Sequence, residues 1–419
     1  MKIMALYARE IFDSRGFPTI ECTIKLENNI RVVSSVPSGI SRGMHEALEL
    51  RDGDTRLAGF GVQKAVDLIN ETIAPLFVGK EPECIRADEQ LILLDGTENK
   101  QKLGANTMLA VSMAMYRAHA AASGVPLYEL IAHACGFETV GLPVPMCNVI
   151  NGGLHADSNL QVQEFMIVPF GMQTLRETID AGVAFFYALK SVARAHGKEV
   201  AYGDEGGISC HFTDEQEALD ILMATIAVTE GSIDGGMLIA LDIAASRLYD
   251  AEQNLYNWQG KKITSHELID WYAQIAQAYP LYAIEDGMSE IDWRGWAHMR
   301  EQLGEKMHII GDDIFVTNPD RIWEGIERDI ADGVIIKPNQ IGTVTETLQA
   351  VALCKEYDKK VVVSHRSGET NDDFIADLAV GVSATHIKAG GFSRGERMAK
   401  YNRLLAIEQE LVEAQLHNS

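Results

Sequence analysis

The sequence predicts an α/β protein: a (β/α) barrel preceded by a small α+β domain. Three observations carry this. At 419 residues the chain exceeds what one small core organises. Its start alternates polar and apolar residues in strand fashion, whereas the later chain repeats short apolar runs separated by helical stretches. Each of those later runs ends on an ionisable residue: LIALD at Asp242, LYAIE at Glu285, MHIIGD at Asp312, VIIK at Lys337, VVVSH at His365 and THIK at Lys388.

In chain order, TIECTIKLE (19–27) and IRVVSSV (30–36) read as strands joined by an Asn28-Asn29 hairpin turn. A glycine-dotted loop, PSGISRGMHEALELRDGD, follows. Residues 61–77 and 103–123 read as helices. The second is apolar nearly all round, hence buried, and Gly124-Val125-Pro126 ends it. Residues 1–135 are assigned to the α+β domain and 136–419 to the barrel. There the polar strand ends recur at intervals of 43, 27, 25, 28 and 23 residues, with helices such as SHELIDWYAQIAQAY and TVTETLQAVALCKEY between them. Such spacing implies parallel strands with right-handed crossovers, and six or more units favour a barrel over an open sheet.

Composition limits the function. A net charge of −24 argues against nucleic-acid binding. No stretch approaches the ~20 apolar residues needed to span a bilayer, so no membrane insertion is expected. The N-terminal MKIMALYAREIFDSR has too short an apolar run for a signal peptide. Cysteines 22, 84, 135, 147, 210 and 354 are scattered without a CxxC pair, as free thiols of a reducing compartment would be. A cytoplasmic location follows.

The stretch GVIIKPNQIGT (333–343) ends a buried strand on Lys337, a costly charge to desolvate. Alone, such a lysine snorkels back to water. In a barrel, however, all six polar strand ends meet at the C-terminal mouth, where barrel enzymes build their sites. Asp242, Glu285 and Asp312 would repel one another unless a cation joins them. Mg²⁺ suits an oxygen set that leaves room for substrate oxygens, and zinc is disfavoured. Beside a metal, burial and a nearby cation would lower the Lys337 pKa and make it a base. In SHRSGET (364–370), Arg366 and Ser367 look built to grip an anion, with Lys388 adding a cation, although Arg366 alone reads equally as a surface ion pair. NGGLHADSNLQVQEFMIVP (151–169) carries His155, Gln163 and Glu164, and YGDEGGI (202–208) puts Glu205 in a glycine turn. Glu205 could be an ordinary cap, or the acid that protonates a leaving hydroxyl. Base, metal and acid together describe a dehydratase.

Throughout its length the chain resembles the enolases, in AREIFDSRGFPTIE, VPSGISRG, LGANTMLAVSMA, LPVPMCNVINGG, QEFMIVPFG, GDEGG, LDIAAS, IED, GDDIFVTNPDR, IKPNQIGTVTET, SHRSGET and AKYNRLL. The resemblance implies a modified (β/α)8 TIM-type barrel whose early strands break the regular order. It implies dehydration of 2-phospho-D-glycerate to phosphoenolpyruvate. Lys337 would be the base, with Mg²⁺ beside it as is known for that superfamily, and Glu205 the proton donor. Asp242, Glu285 and Asp312 would ligate the first Mg²⁺, and Ser41, in a mobile loop at 37–43, a second that arrives with substrate. His155, Gln163, Glu164, His365, Arg366, Ser367 and Lys388 would contact a small phosphorylated 2-hydroxy acid. A homodimer or octamer is implied as well.

Four stretches depart from the family's usual reading. Ile40-Ser41-Arg42-Gly43 replaces Ala-Ser-Thr-Gly, and Ile208-Ser209-Cys210 replaces Phe-Ala-Pro, with His211 following. Gly287-Met288 replaces Pro-Leu, and Lys388-Ala389-Gly390-Gly391 replaces Lys-Thr-Gly-Ser. Gly287 should loosen its loop, and Arg42 should add a cation beside the substrate door. Two other readings stand beside the enolase one: a relative acting on a phosphonate or related analogue, and a binding protein with no working site. The superfamily's racemases and cycloisomerases usually carry Lys-x-Lys on an early strand, which Lys261-Lys262 does not match.

Overall fold

The computed structural model describes residues 1–39, 42–137, 139–231 and 235–418. Three antiparallel strands open the chain: β1 (Ile3–Phe12), β2 (Pro18–Leu26) and β3 (Arg31–Ser35). Asn28 and Asn29 sit at φ +66° and +62°, the left-handed pair a tight hairpin needs. The helix Ala105–Ser123 packs on this sheet, and Met108, Leu109, Val111 and Met115 are fully buried in the contact. Gly124, at φ +70°, ends it as expected. The stretch 61–77 is helical from Gln63 to Phe77, with a π segment at Leu68–Ile73. Helices Cys84–Asp95 and Leu127–Ala134 complete this part of the chain.

Eight strands then close into a barrel: β4 (Val144–Asn151), β5 (Glu164–Phe170), β6 (Gly236–Asp242), β7 (Leu281–Glu285), β8 (His308–Gly311), β9 (Gly333–Ile336), β10 (Lys360–Ser364) and β11 (His386–Lys388). They are hydrogen-bonded in that order, and β11 pairs with β4 to close the ring. From β6 onward neighbours run parallel, as the spacing predicts. β5 runs antiparallel to both β4 and β6. The β4–β5 connection is a glycine loop with only a short 3₁₀ turn, and without a crossover helix the next strand must return antiparallel. The long 43-residue interval holds a small three-stranded sheet (Tyr249–Asp250, Leu255–Trp258, Lys261–Ile263) ahead of the helix Ser265–Ala278. Lys261 and Lys262 lie there, exposed. Among the described residues no helix is long and apolar enough to cross a membrane. All six cysteines are free.

The barrel interior is an apolar plug that includes Met146, Met166, Ile310, Ile335 and Val362. Beneath it His386 stacks on Tyr282, with ring centroids 5.1 Å apart, and among the described residues neither ring nitrogen has a hydrogen-bond partner. Burial, helped by Lys360 and His308, pushes His386 down to about 3. The fold therefore favours neutral His386. Its contribution is complete above the ordinary value of 6.5 and is lost as pH falls toward 3. By pH 5 the loss is about 2 kcal/mol. His386→Phe should reduce the drop in denaturation midpoint between pH 7 and pH 5. Equal drops in variant and parent would contradict this role.

Candidate active site

At the C-terminal mouth of the barrel, strand register sets carboxylates side by side. Asp242 is opposite Glu285 of β7 on one side and Glu164 of β5 on the other. Lys388 ends β11, while Asp312, Lys337 and His365 each stand one residue beyond their strands. Nearly all of these side chains are buried, so they solvate one another rather than meeting water.

Lys388 is the hub. Its Nζ lies 2.8 and 2.9 Å from the Glu285 oxygens, 3.1 Å from Asp242 and 3.2 Å from Glu164. Asp312 stands apart: Oδ2 pairs with Lys337, and Oδ1 accepts from Gln340 at 3.0 Å. The three carboxylates expected to share a metal are thus divided, two held by Lys388 and one by Lys337. Among the described residues, the groups close enough to share an ion are His155–Glu164–Glu205 and Asp286–Asp312–Asp313. Asp286 and Asp313 are not singled out by the sequence pattern. Each is the neighbour of a residue that the pattern does single out, in IED and GDD. The carboxylate of Asp286 accepts the N–H groups of Asp312 (2.8 Å) and Asp313 (2.9 Å), tying the end of β7 to that of β8. Burial, with neighbouring carboxylates, pushes Glu285, Asp286 and Asp313 well above the ordinary range. This surplus of buried oxygen donors, with no sulfur among them, fits a hard divalent cation.

Touching partners set the ionisation of Lys337 and Glu205. Burial favours a neutral Lys337, as predicted, but the touching Asp312 carboxylate outweighs it and raises the pKa. Burial likewise pushes Glu205 up, but His155, His365 and Arg397 overcome it and hold Glu205 well below the carboxylate range. His155 carries the proton instead. Burial opposes its charge, yet Glu205 and Glu164, each 3.4 Å away, raise it to about 10. Glu164 itself rises to about 7, through burial and then the Glu205 charge.

The glycine turn around Glu205 is tightly seated. Gly206 is at φ +89°, Asn148 Nδ2 donates to Glu205 Oε2 at 3.0 Å, and the Gly391 N–H donates to the Glu205 carbonyl at 2.8 Å. A Cβ at Gly391 would stand 2.5 Å from the Asn148 carbonyl, so the departure from serine there suits this close approach. The expectation for Gly287 is overturned. A Cβ there would meet Met299 Sδ at 2.7 Å, its carbonyl accepts from Tyr272 at 2.8 Å, and Met288 is fully buried. That segment is packed, not loosened. Arg42 gives its charge to Glu49, at 2.7 Å.

Arg366 is buried and forks onto Glu46, each of two nitrogens 3.1 Å from one oxygen, with Asn339 Oδ1 at 3.1 Å. Ser367 Oγ lies 3.5 Å from Arg15. Ser38 and Gly368 exchange backbone hydrogen bonds of 2.8 and 2.9 Å, so the N-terminal segment forms part of the rim. Arg397, absent from the sequence reading, bonds His365 Nδ1 and the carbonyls of Arg366 and Ser367, each at 2.6 Å. Since arginine only donates, Nδ1 of His365 accepts. Burial keeps His365 neutral, so its proton is on Nε2, 3.6 Å from Glu205.

These groups enclose a cavity of about 20 Å³, room for roughly one water. Every site residue expected from the sequence lines it except two. Glu285 reaches it through Lys388. Ser41, expected as a second-metal ligand, lies outside the described residues.

Family comparison agrees across both parts of the chain. Residues 3–131 match the family model "Enolase, N-terminal domain", and residues 139–419 match "Enolase, C-terminal TIM barrel domain". A curated "Enolase" from Natranaerobius thermophilus is 47% identical over 410 residues, 98% of this chain and 95% of that protein. With an eight-stranded barrel, a mouth of carboxylates and lysines, and matches over nearly its whole length, the chain belongs to the enolase family.

Proposed function

We propose that this chain is a hydro-lyase of glycolysis and gluconeogenesis that interconverts 2-phospho-D-glycerate with phosphoenolpyruvate and water. The observation that carries the reading is that Lys337, Glu205 and Arg366 line one small cavity. Arg366 and Ser367 hold the phosphate, and Lys388 steadies the substrate's carboxylate. Lys337 takes the proton from the carbon next to that carboxylate. The pair of electrons left behind forms the new double bond as the hydroxyl departs from the neighbouring carbon. Glu205 takes up the proton that His155 holds and passes it to that hydroxyl, which leaves as water. Asn148 holds Glu205 in place through its Nδ2–H, His365 stands beside it at 3.6 Å, and Gln163 completes the wall.

Asp242, Glu285 and Asp312 are the residues that would hold a first Mg²⁺, and Ser41 a second that arrives with substrate. When bound, the metal supplies positive charge against the extra negative charge the substrate carboxylate acquires on proton loss. Asp312 would then have a partner other than Lys337, which would free the amine to act as a base. None of the departures at 208–211, 287–288 or 389–391 lines the cavity, which supports the ordinary substrate over a phosphonate analogue. Residues 1–135 and 136–419 act as the two domains, in a homodimer or octamer in the cytoplasm.

Ultraviolet absorbance tests the reading. Protein mixed with 2-phosphoglycerate and Mg²⁺ should give a steady rise from the conjugated product. Chelation should stop it, and fresh Mg²⁺ should restore it. Folded protein giving no rise with excess Mg²⁺ would overturn the assignment.

A further inference from the structure

In this structure the guanidinium assigned to the substrate's phosphate is already engaged by an anion. Glu46 meets Arg366 as a fork, both oxygens at 3.1 Å, and the two side chains are almost wholly buried. That is the geometry by which arginine also recognises phosphate. We propose that Glu46 is a resident stand-in for the substrate's phosphate, a positioning residue that holds Arg366 until a phosphate replaces it. This rests on the role given to Arg366 above.

Three further features support it. The cavity is far too small for a phosphorylated ligand, so existing contacts must give way on binding. The backbone of Gly39 packs against the guanidinium where any Cβ would collide with it. Gly39 thus closes that side of the guanidinium, and displacing Glu46 opens the other. Glu46 is also tied to its own loop: Oε1 accepts the Gly43 N–H at 3.2 Å and Gln340 Nε2 at 3.3 Å. Next to it, the Met44 N–H donates to Glu290 at 2.8 Å. Gln340 in turn holds Asp312. Breaking one side of a buried ion pair strands the other charge. An incoming phosphate supplies the compensating charge, so the exchange favours anionic ligands over neutral ones. It also releases the 43–46 segment only when the site is filled.

Inorganic phosphate is the probe, measured both as a competitive inhibitor of turnover and by calorimetry. Glu46→Gln should bind phosphate at least about tenfold more tightly than the parent, the scale of one charge-assisted contact. The KM for 2-phosphoglycerate should fall with it. Glu46→Asp, charged but shorter, should fall between the two. Glu290→Ala removes the acceptor of the Met44 N–H without touching Arg366 and should leave phosphate affinity unchanged. Unchanged or weaker phosphate binding in folded Glu46→Gln would overturn the proposal, as would equal tightening in Glu290→Ala. If Glu46→Gln does not fold, Glu46→Asp decides on the same terms. Tighter phosphate binding by Glu46→Gln in calorimetry, from a parent protein that does not turn over 2-phosphoglycerate, would reject the enolase reaction while leaving this contact intact.

Discussion

Lys337→Ala is expected to lower turnover of 2-phosphoglycerate by about 10⁴-fold, the upper end for loss of one general base. The cavity offers no good substitute. Lys388 is the other buried lysine there, but three carboxylates at 2.8–3.2 Å hold it protonated. His155 carries its proton, and His365 spends its accepting nitrogen on Arg397. The fold should survive, because Asp312 keeps Gln340 and the backbone ties through Asp286. Circular dichroism should therefore match the parent. Near-parental turnover in a folded variant would remove Lys337 from the role.

Glu205→Gln should cost about 10²- to 10⁴-fold in the same assay. The amide keeps the shape and can still meet Asn148, but it can neither store nor deliver a proton. It also removes the charge that raises His155 and Glu164. His155 should then titrate lower than its present value of about 10, and nitrogen-15 NMR of the imidazole would read that shift. An unchanged His155 together with unchanged turnover would contradict the shared-proton arrangement.

Much of the site was legible because barrel geometry gathers strand ends. Asp242, Glu285, Asp312, Lys337, His365 and Lys388 are far apart in sequence, yet each ends a predicted strand. The glycines around Glu205 marked a tight turn, and Asn28-Asn29 a hairpin, because those backbone angles favour few residues. What escaped depends on contacts across the chain. Arg397 and Lys400 look like ordinary surface charges on the helix Gly395–Asn418, yet both are buried and grip the backbone after β10. The partnership of Glu46 with Arg366 spans 320 residues. The directions of Lys337 and Glu205 ionisation turned on which neighbour touches each group, a matter of ångströms that spacing does not encode. The antiparallel β5 follows from a helix-free connection, which apolar runs do not reveal.

Deuterium exchange separates base from acid most directly. The parent, Lys337→Ala and Glu205→Gln are each incubated with 2-phosphoglycerate and Mg²⁺ in D₂O, and the hydrogen on the carbon beside the carboxylate is followed by proton NMR. The roles assigned here predict that Glu205→Gln still exchanges that hydrogen although it makes little product, whereas Lys337→Ala does not exchange it. Exchange that persists without Lys337, or disappears with Glu205→Gln alone, would contradict them.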